Sequence, residues 1–190
     1  MICQEFELPF SLFPKRGVMF DDPLRTEGLH LTDIIKSIMS EAGMMKTMSG
    51  RGWDPDPLNL AAETGFMWEE LLSMTLKARL PDRIGEITVD GIMMSPDGFD
   101  VEEWCLWEYK AVWSSCKRLP VDNYKWMCQV QGYLKGVGAL TVKMAILYLN
   151  GDWKGGGPQY RGYKITFTQR EIDETWQMIT AHARKKGWIE

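Results

Sequence analysis

Ser95-Pro96-Asp97-Gly98 opens a stretch that runs through Phe99-Asp100-Val101-Glu102-Glu103-Trp104-Cys105-Leu106-Trp107 and ends on Glu108-Tyr109-Lys110. Ten residues separate Asp97 from Glu108. Its first part, Ser95 to Glu103, is dense in turn formers. Trp104 to Val112 reads as a strand. The segment before it, Gly85 to Met94, reads as another, with β-branched Ile87, Thr88, Val89 and Ile92. In a strand, residues i and i+2 share a face, so Glu108 and Lys110 project together and Trp107 points to the opposite side. A hairpin of the two strands brings a second carboxylate to Glu108. A turn centred near Phe99 makes that carboxylate Asp90; a turn a few residues later makes it Asp97.

Either choice sets two carboxylates beside one ammonium. Close carboxylates repel unless a cation joins them. Mg²⁺ suits such a place, because it takes carboxylate oxygens, waters and phosphate oxygens. A metal there polarises a phosphodiester and helps deprotonate water. Lys110 would orient that water or stabilise the developing negative charge. Taken singly these features are bland. Asp97-Gly98 is a good hairpin turn, and a Glu-x-Lys pair is common on a solvated strand face.

Outward from this stretch, the chain alternates helix and strand signals. Thr32 to Met45 has helical spacing in Ile34, Ile35, Ile38 and Met39, with Thr32 as its cap. Gly50 to Pro57 is a loop by its Gly and Pro content. Leu58 to Leu80 reads as a long helix with a stripe of Leu60, Met67, Leu71, Leu72 and Leu76. Asn123 to Val137 reads as a helix, Thr141 to Leu149 as an apolar strand, Tyr163 to Phe167 as a further strand, and Glu171 to Lys186 as a closing helix. The stretch up to Asp22 reads as an arm or an edge strand. The expected fold class is α/β or α+β, a mixed central sheet flanked by helices.

Several of these segments together resemble the PD-(D/E)XK nuclease superfamily, and within it the lambda-exonuclease and RecB-like enzymes. Ser95-Pro96-Asp97-Gly98, a short spacer and Glu108-Tyr109-Lys110 resemble the catalytic core. Gly65-Phe66-Met67-Trp68-Glu69 is similar to the family's G-x-x-x-E helix, and Gln129-Val130-Gln131-Gly132-Tyr133 to its Q-x-x-x-Y helix. Gln129 and Tyr133 are four apart and so share a helix face. The resemblance spans roughly Gly65 to Asn150 and rests on the order of short motifs. It implies a restriction-endonuclease-like core at about residues 60–150 of one nuclease domain, with 1–57 and 155–190 as family-variable additions.

The resemblance also implies a set of roles. Asp97, Glu108, the backbone carbonyl of Tyr109 and Glu69 would bind Mg²⁺ or Mn²⁺. The Pro-Asp-Gly match favours Asp97 over Asp90, and the helix spacing favours Glu69 over Glu70. Lys110 would serve the nucleophilic water, and Gln129 and Tyr133 would support the site or the DNA. The implied activity is DNA hydrolysis by an exonuclease of phage-type recombination or repair. A single-strand annealing protein is the implied partner, and a homo-oligomer is open. The alternatives are an endonuclease on the same fold, structure-specific or nonspecific, and a non-catalytic DNA-binding or assembly module.

Composition sets outer bounds. The 190 residues carry a formal net charge of −4, which is acidic for a nucleic-acid binder. Phosphate contacts need only local basic patches. Lys117 and Arg118 follow the catalytic strand and are the first choice for DNA contacts, ahead of Arg79, Arg83, Lys125, Lys135 and Arg161. Trp113 or Trp53 could stack on a base. The four cysteines, Cys3, Cys105, Cys116 and Cys128, form no CxxC pair, and there are only two histidines, so neither a structural zinc nor an iron–sulfur cluster is expected. No segment approaches the ~20 apolar residues of a membrane helix. Met1 to Phe13 has no signal-peptide pattern. A reducing cytoplasm, of a bacterium or a phage-infected host, is the expected location.

Overall fold

The computed structural model describes residues 1–6, 28–44, 67–68, 71 and 84–190. Their elements, in chain order, are β1 (Ile2–Phe6), α1 (Leu31–Glu41), β2 (Ile87–Val89), β3 (Ile92–Met94), β4 (Gly98–Asp100), β5 (Cys105–Val112), α2 (Tyr124–Val137), β6 (Thr141–Tyr148), β7 (Gln159–Thr166) and α3 (Gln169–Lys185). A 3₁₀ turn at Pro120–Asp122 leads into α2. Five strands form one mixed sheet in the order β1-β7-β6-β5-β4. Among the described strands of this sheet only β5 and β6 pair in parallel; their link contains α2, the kind of crossover that a parallel pair requires. β1 is an edge strand, antiparallel to β7.

The sheet buries its two faces differently. One face carries Leu106, Val142, Met144, Ile146, Tyr163 and Ile165 and packs with residues of α1, α2 and α3 in the large core. The other carries Trp107, Tyr109 and Ala145, packed against Trp68. Helical Met67, Trp68 and Leu71 are the described part of the expected Leu58–Leu80 helix, whose other residues lie outside the description.

Gly85 to Met94, expected as one strand, is a tight hairpin. Asp90 (φ 50°) and Gly91 (φ 76°) both adopt left-handed backbone, as a two-residue hairpin turn requires. β4 lies inside the expected turn region, and β7 starts four residues ahead of the expected Tyr163. α1 starts at Leu31 behind His30, so Thr32 is within its first turn and is not its cap.

α2 carries two of the expected site residues, Gln129 and Tyr133. The Asn123 side chain caps it by accepting from the Trp126 amide at 3.3 Å. Gly138, at φ 68°, ends it in the left-handed conformation. At Gly132 an added Cβ would sit 2.5 Å from Leu31 Cδ2. Glycine there lets α1 approach α2 closely. α3 braces the other flank of α2 through Lys135–Asp173 (2.8 Å) and Thr175–Gln131 (2.8 Å). Among the described residues no helix is long and apolar enough to cross a membrane.

Candidate active site

Strand register decides which aspartate meets Glu108. Gly98 pairs with Trp107 and Phe99 with Leu106. Continuing that antiparallel register by one residue puts Asp97 opposite Glu108. β4 is only three residues long, so β5 runs on beyond its partner and leaves backbone groups to be satisfied. The Asp97 carboxylate fills that place, accepting from the Tyr109 amide at 2.6 Å through Oδ2. Asp90 is elsewhere. Its Oδ2 accepts from the Trp176 indole of α3 at 2.8 Å.

Glu108 and Lys110 share the β5 face that looks toward α2. Glu108 is 1% exposed and is the most deeply buried carboxylate among the described residues. Its Oε1 receives the Lys110 ammonium. The same ammonium donates to Gln129 Oε1 at 3.3 Å. Gln129 Nε2 in turn donates to the Tyr133 hydroxyl at 2.9 Å, one turn further along α2. The chain Glu108, Lys110, Gln129, Tyr133 is thus one continuous polar network inside an otherwise apolar layer. An isolated carboxylate at this depth would be costly; pairing and hydrogen bonding make it tolerable.

Asp97, Glu108, Lys110, Gln129 and Tyr133 are therefore neighbours. Tyr109 contributes its main chain, while its ring lies on the opposite face with Trp107, at a centroid distance of 6.3 Å. Glu69 and Glu70 lie outside the described residues, as do Arg79, Arg83 and Trp53. Among the described residues no three His, Cys, Asp or Glu side chains gather as a metal site; the site shows a carboxylate pair. Lys117 and Arg118 are exposed in the loop that follows β5, and Arg118 lines a cleft at the start of α2. Lys135 is paired with Asp173, and Arg161 lies 4.0 Å from Glu5 near the far edge of the sheet. Neither borders the carboxylates.

One useful contact was not foreseen, the Tyr109 amide that fixes Asp97. The length mismatch between β4 and β5 produces it, and strand lengths are poorly marked in sequence. Cys105 and Cys128 offer no alternative centre. Burial pushes the Cys105 thiol up to about 11 and raises that of Cys128 as well, away from the thiolate that a nucleophile or a metal needs.

No protein-family model matches this sequence, and no curated protein is similar to it in sequence. The fold has solved counterparts. A phage-related exonuclease from Haemophilus somnus 129PT superposes with a TM-score of 0.55 at 14% identity, over 85% of this chain and 94% of that one. LHK-Exo, solved in complex with dAMP, gives a TM-score of 0.55 at 16% identity, over 83% and 87% of the two chains. SSO0001 gives 0.51 at 17% identity, over 83% and 77%. At these identities the likeness is one of fold. The chain has an α+β fold like that of these exonucleases.

Proposed function

We propose that this protein is a metal-dependent deoxyribonuclease, and that it acts as an exonuclease in phage-type recombination or repair. The observation that carries the reading is the meeting of Asp97 and Glu108 beside Lys110 on one sheet face, with Gln129 above them. A fold shared with two exonucleases supports it, as does the dAMP in one of them.

The donor set fits a hard divalent cation. Both candidate side-chain ligands are carboxylates, and Mg²⁺ or Mn²⁺ takes oxygen ligands and keeps waters for substrate exchange. Asp97, Glu108, the Tyr109 carbonyl and Glu69 are proposed to hold it. When bound, the metal would polarise the scissile phosphate and lower the pKa of the attacking water. The protein's own groups do the rest. The Tyr109 amide fixes one oxygen of Asp97 and so the orientation of its carboxylate. Lys110 keeps a positive charge beside Glu108, where negative charge builds on the phosphate in the transition state. Gln129, held by Tyr133, restrains the lysine and reduces the reorganisation needed during reaction.

Digestion of end-labelled linear duplex beside covalently closed circular DNA tests this, in Mg²⁺ and in EDTA, with wild type and Glu108→Ala. The expected result is Mg²⁺-dependent loss of the linear DNA alone, abolished by the substitution. Cutting of both forms would keep the site and make the enzyme an endonuclease. DNA binding without cleavage in Mg²⁺ or Mn²⁺ would make it a non-catalytic module. A single-strand annealing partner and a homo-oligomer extend the proposal. Co-purification and light scattering address them.

A further inference from the structure

Lys125 is the second residue of α2 and lies four residues before Gln129. That spacing puts it one turn away on the same helix face, and Gln129 touches Lys110. Lys125 is half-buried, yet among the described residues its ammonium makes no hydrogen bond or ion pair. The charged groups that bear on it are cations, Lys36 of α1 and Lys110 of the site. Burial first, and then these two charges, hold its pKa below the ordinary lysine range.

Other basic residues of the same structure do have carboxylate partners. Lys135 has Asp173 at 2.8 Å, Lys143 has Glu103 at 2.5 Å, and Lys36 has Asp33 at 3.7 Å. A half-buried cation with two other cations near it and no ion-pair partner of its own is unfavourable by itself. An anion supplied by a ligand removes the penalty.

There is room for one. Lys125 lines a cleft of about 260 Å³ with Arg118, Ser114, Asn123, Trp126 and Tyr148. Arg118, exposed in the loop after β5, likewise forms no side-chain hydrogen bond or ion pair among the described residues. Asp122 also lines the cleft, and is the single carboxylate among its lining residues. Ligand pockets run from about 300 Å³ upward. This one therefore suits a phosphodiester group better than a bulky cofactor. It also lies beyond the end of β5, the strand that bears Glu108 and Lys110.

We infer that Lys125, with Arg118 in the same cleft, holds a backbone phosphate of the nucleic-acid strand next to the scissile one. The inference rests on the nuclease reading and adds to it a strand path, from the carboxylates across the first turn of α2. The Lys117–Arg118 loop alone does not define that path.

The test is binding of a labelled oligonucleotide in Ca²⁺ without Mg²⁺, over a salt titration, with wild type, Lys125→Met and Lys125→Arg. Losing one charged phosphate contact is expected to weaken binding about tenfold at low salt. It should also reduce the slope of log K against log salt by about 0.7 to 0.9. Lys125→Arg should keep most of both. Lys125→Met should melt at or above the wild-type temperature, because it removes an unfavourable buried charge. Unchanged affinity and slope in Lys125→Met, with wild type binding and cutting DNA, would overturn the phosphate contact and leave the nuclease standing. A lowered melting temperature with no rescue by arginine would make Lys125 structural and also overturn it. A wild-type protein that neither binds nor cuts DNA would remove the nuclease reading and this one together.

Discussion

Two Asp-Gly pairs lie seven residues apart, at Asp90-Gly91 and Asp97-Gly98, and the fold uses them in opposite ways. The first is a hairpin turn, with both residues at positive φ and the Asp90 carboxylate taken up by the Trp176 indole. The second is no turn. Gly98 begins β4, and the Asp97 carboxylate closes the end of a ladder beside Glu108. The same dipeptide thus gives an aspartate that caps an indole in one place and the candidate-site aspartate in the other. What separates them is the neighbouring strand: Asp90 has three-residue β2 and β3 on either side, while Asp97 faces the overhang of an eight-residue β5.

The largest expected effect puts that contrast at risk. Asp97→Asn and Glu108→Gln keep side-chain size and remove a charge proposed to bind the metal. Each should lower the Mg²⁺-dependent cleavage rate by on the order of 10³-fold, since metal stabilisation of transition-state charge is worth several kcal/mol. Asp90→Asn should leave the rate within about twofold, as surface changes away from a site do. Single-turnover digestion of linear duplex measures all three. A collapse of activity in Asp90→Asn with Asp97→Asn active would reverse the assignment.

The sequence made some of this legible and concealed the rest. The Glu108-Tyr109-Lys110 strand was readable from alternation, because a central strand must send its charged pair to one face. The Gln129–Tyr133 face was readable from helical spacing. The choice between Asp90 and Asp97 was not readable from spacing, because it depends on where the turn centres, and a shift of a few residues changes the partner of Glu108. Asp90-Gly91 in fact ends the expected Gly85–Met94 strand in its middle. That signal was present, since Asp-Gly between β-formers is a strong hairpin mark. Lys125 was visible only as one basic residue among several. Its distinction is to be half-buried with no carboxylate partner among the described residues, a tertiary property that no local pattern encodes.

Next in size is Lys110→Met, which removes the ammonium between Glu108 and Gln129. A loss of about 10² to 10³ in rate is expected, as for other preorganised groups that stabilise developing charge. Undiminished cleavage would sink the proposed role of the lysine. Gln129→Leu touches the site at one remove. It frees Lys110 from one restraint and should cost about tenfold to 100-fold in rate, the usual range for a group that orients another. A fall in rate with unchanged DNA affinity would mark Gln129 as a positioning residue; a fall in affinity alone would move it to DNA binding.

The smallest expected effect falls on the aspartate that caps the indole and involves stability alone. Asp90→Ala removes the acceptor of the Trp176 indole, a side chain only 6% exposed. An unsatisfied buried donor costs about 1–3 kcal/mol. Alanine must also hold the positive φ of 50° that Asp or Asn tolerates better. Asp90→Asn keeps both an acceptor oxygen and the turn preference, so its urea midpoint should stay close to wild type. Asp90→Ala should move that midpoint down while the cleavage rate of the remaining folded protein stays the same. Equal midpoints for the two variants would mean that the Asp90–Trp176 contact holds nothing together. A stable but slow Asp90→Ala would instead tie the β2–β3 hairpin to catalysis through α2, which packs against it at Gly136, where an added Cβ would meet Ile87 Cδ1 at 2.4 Å.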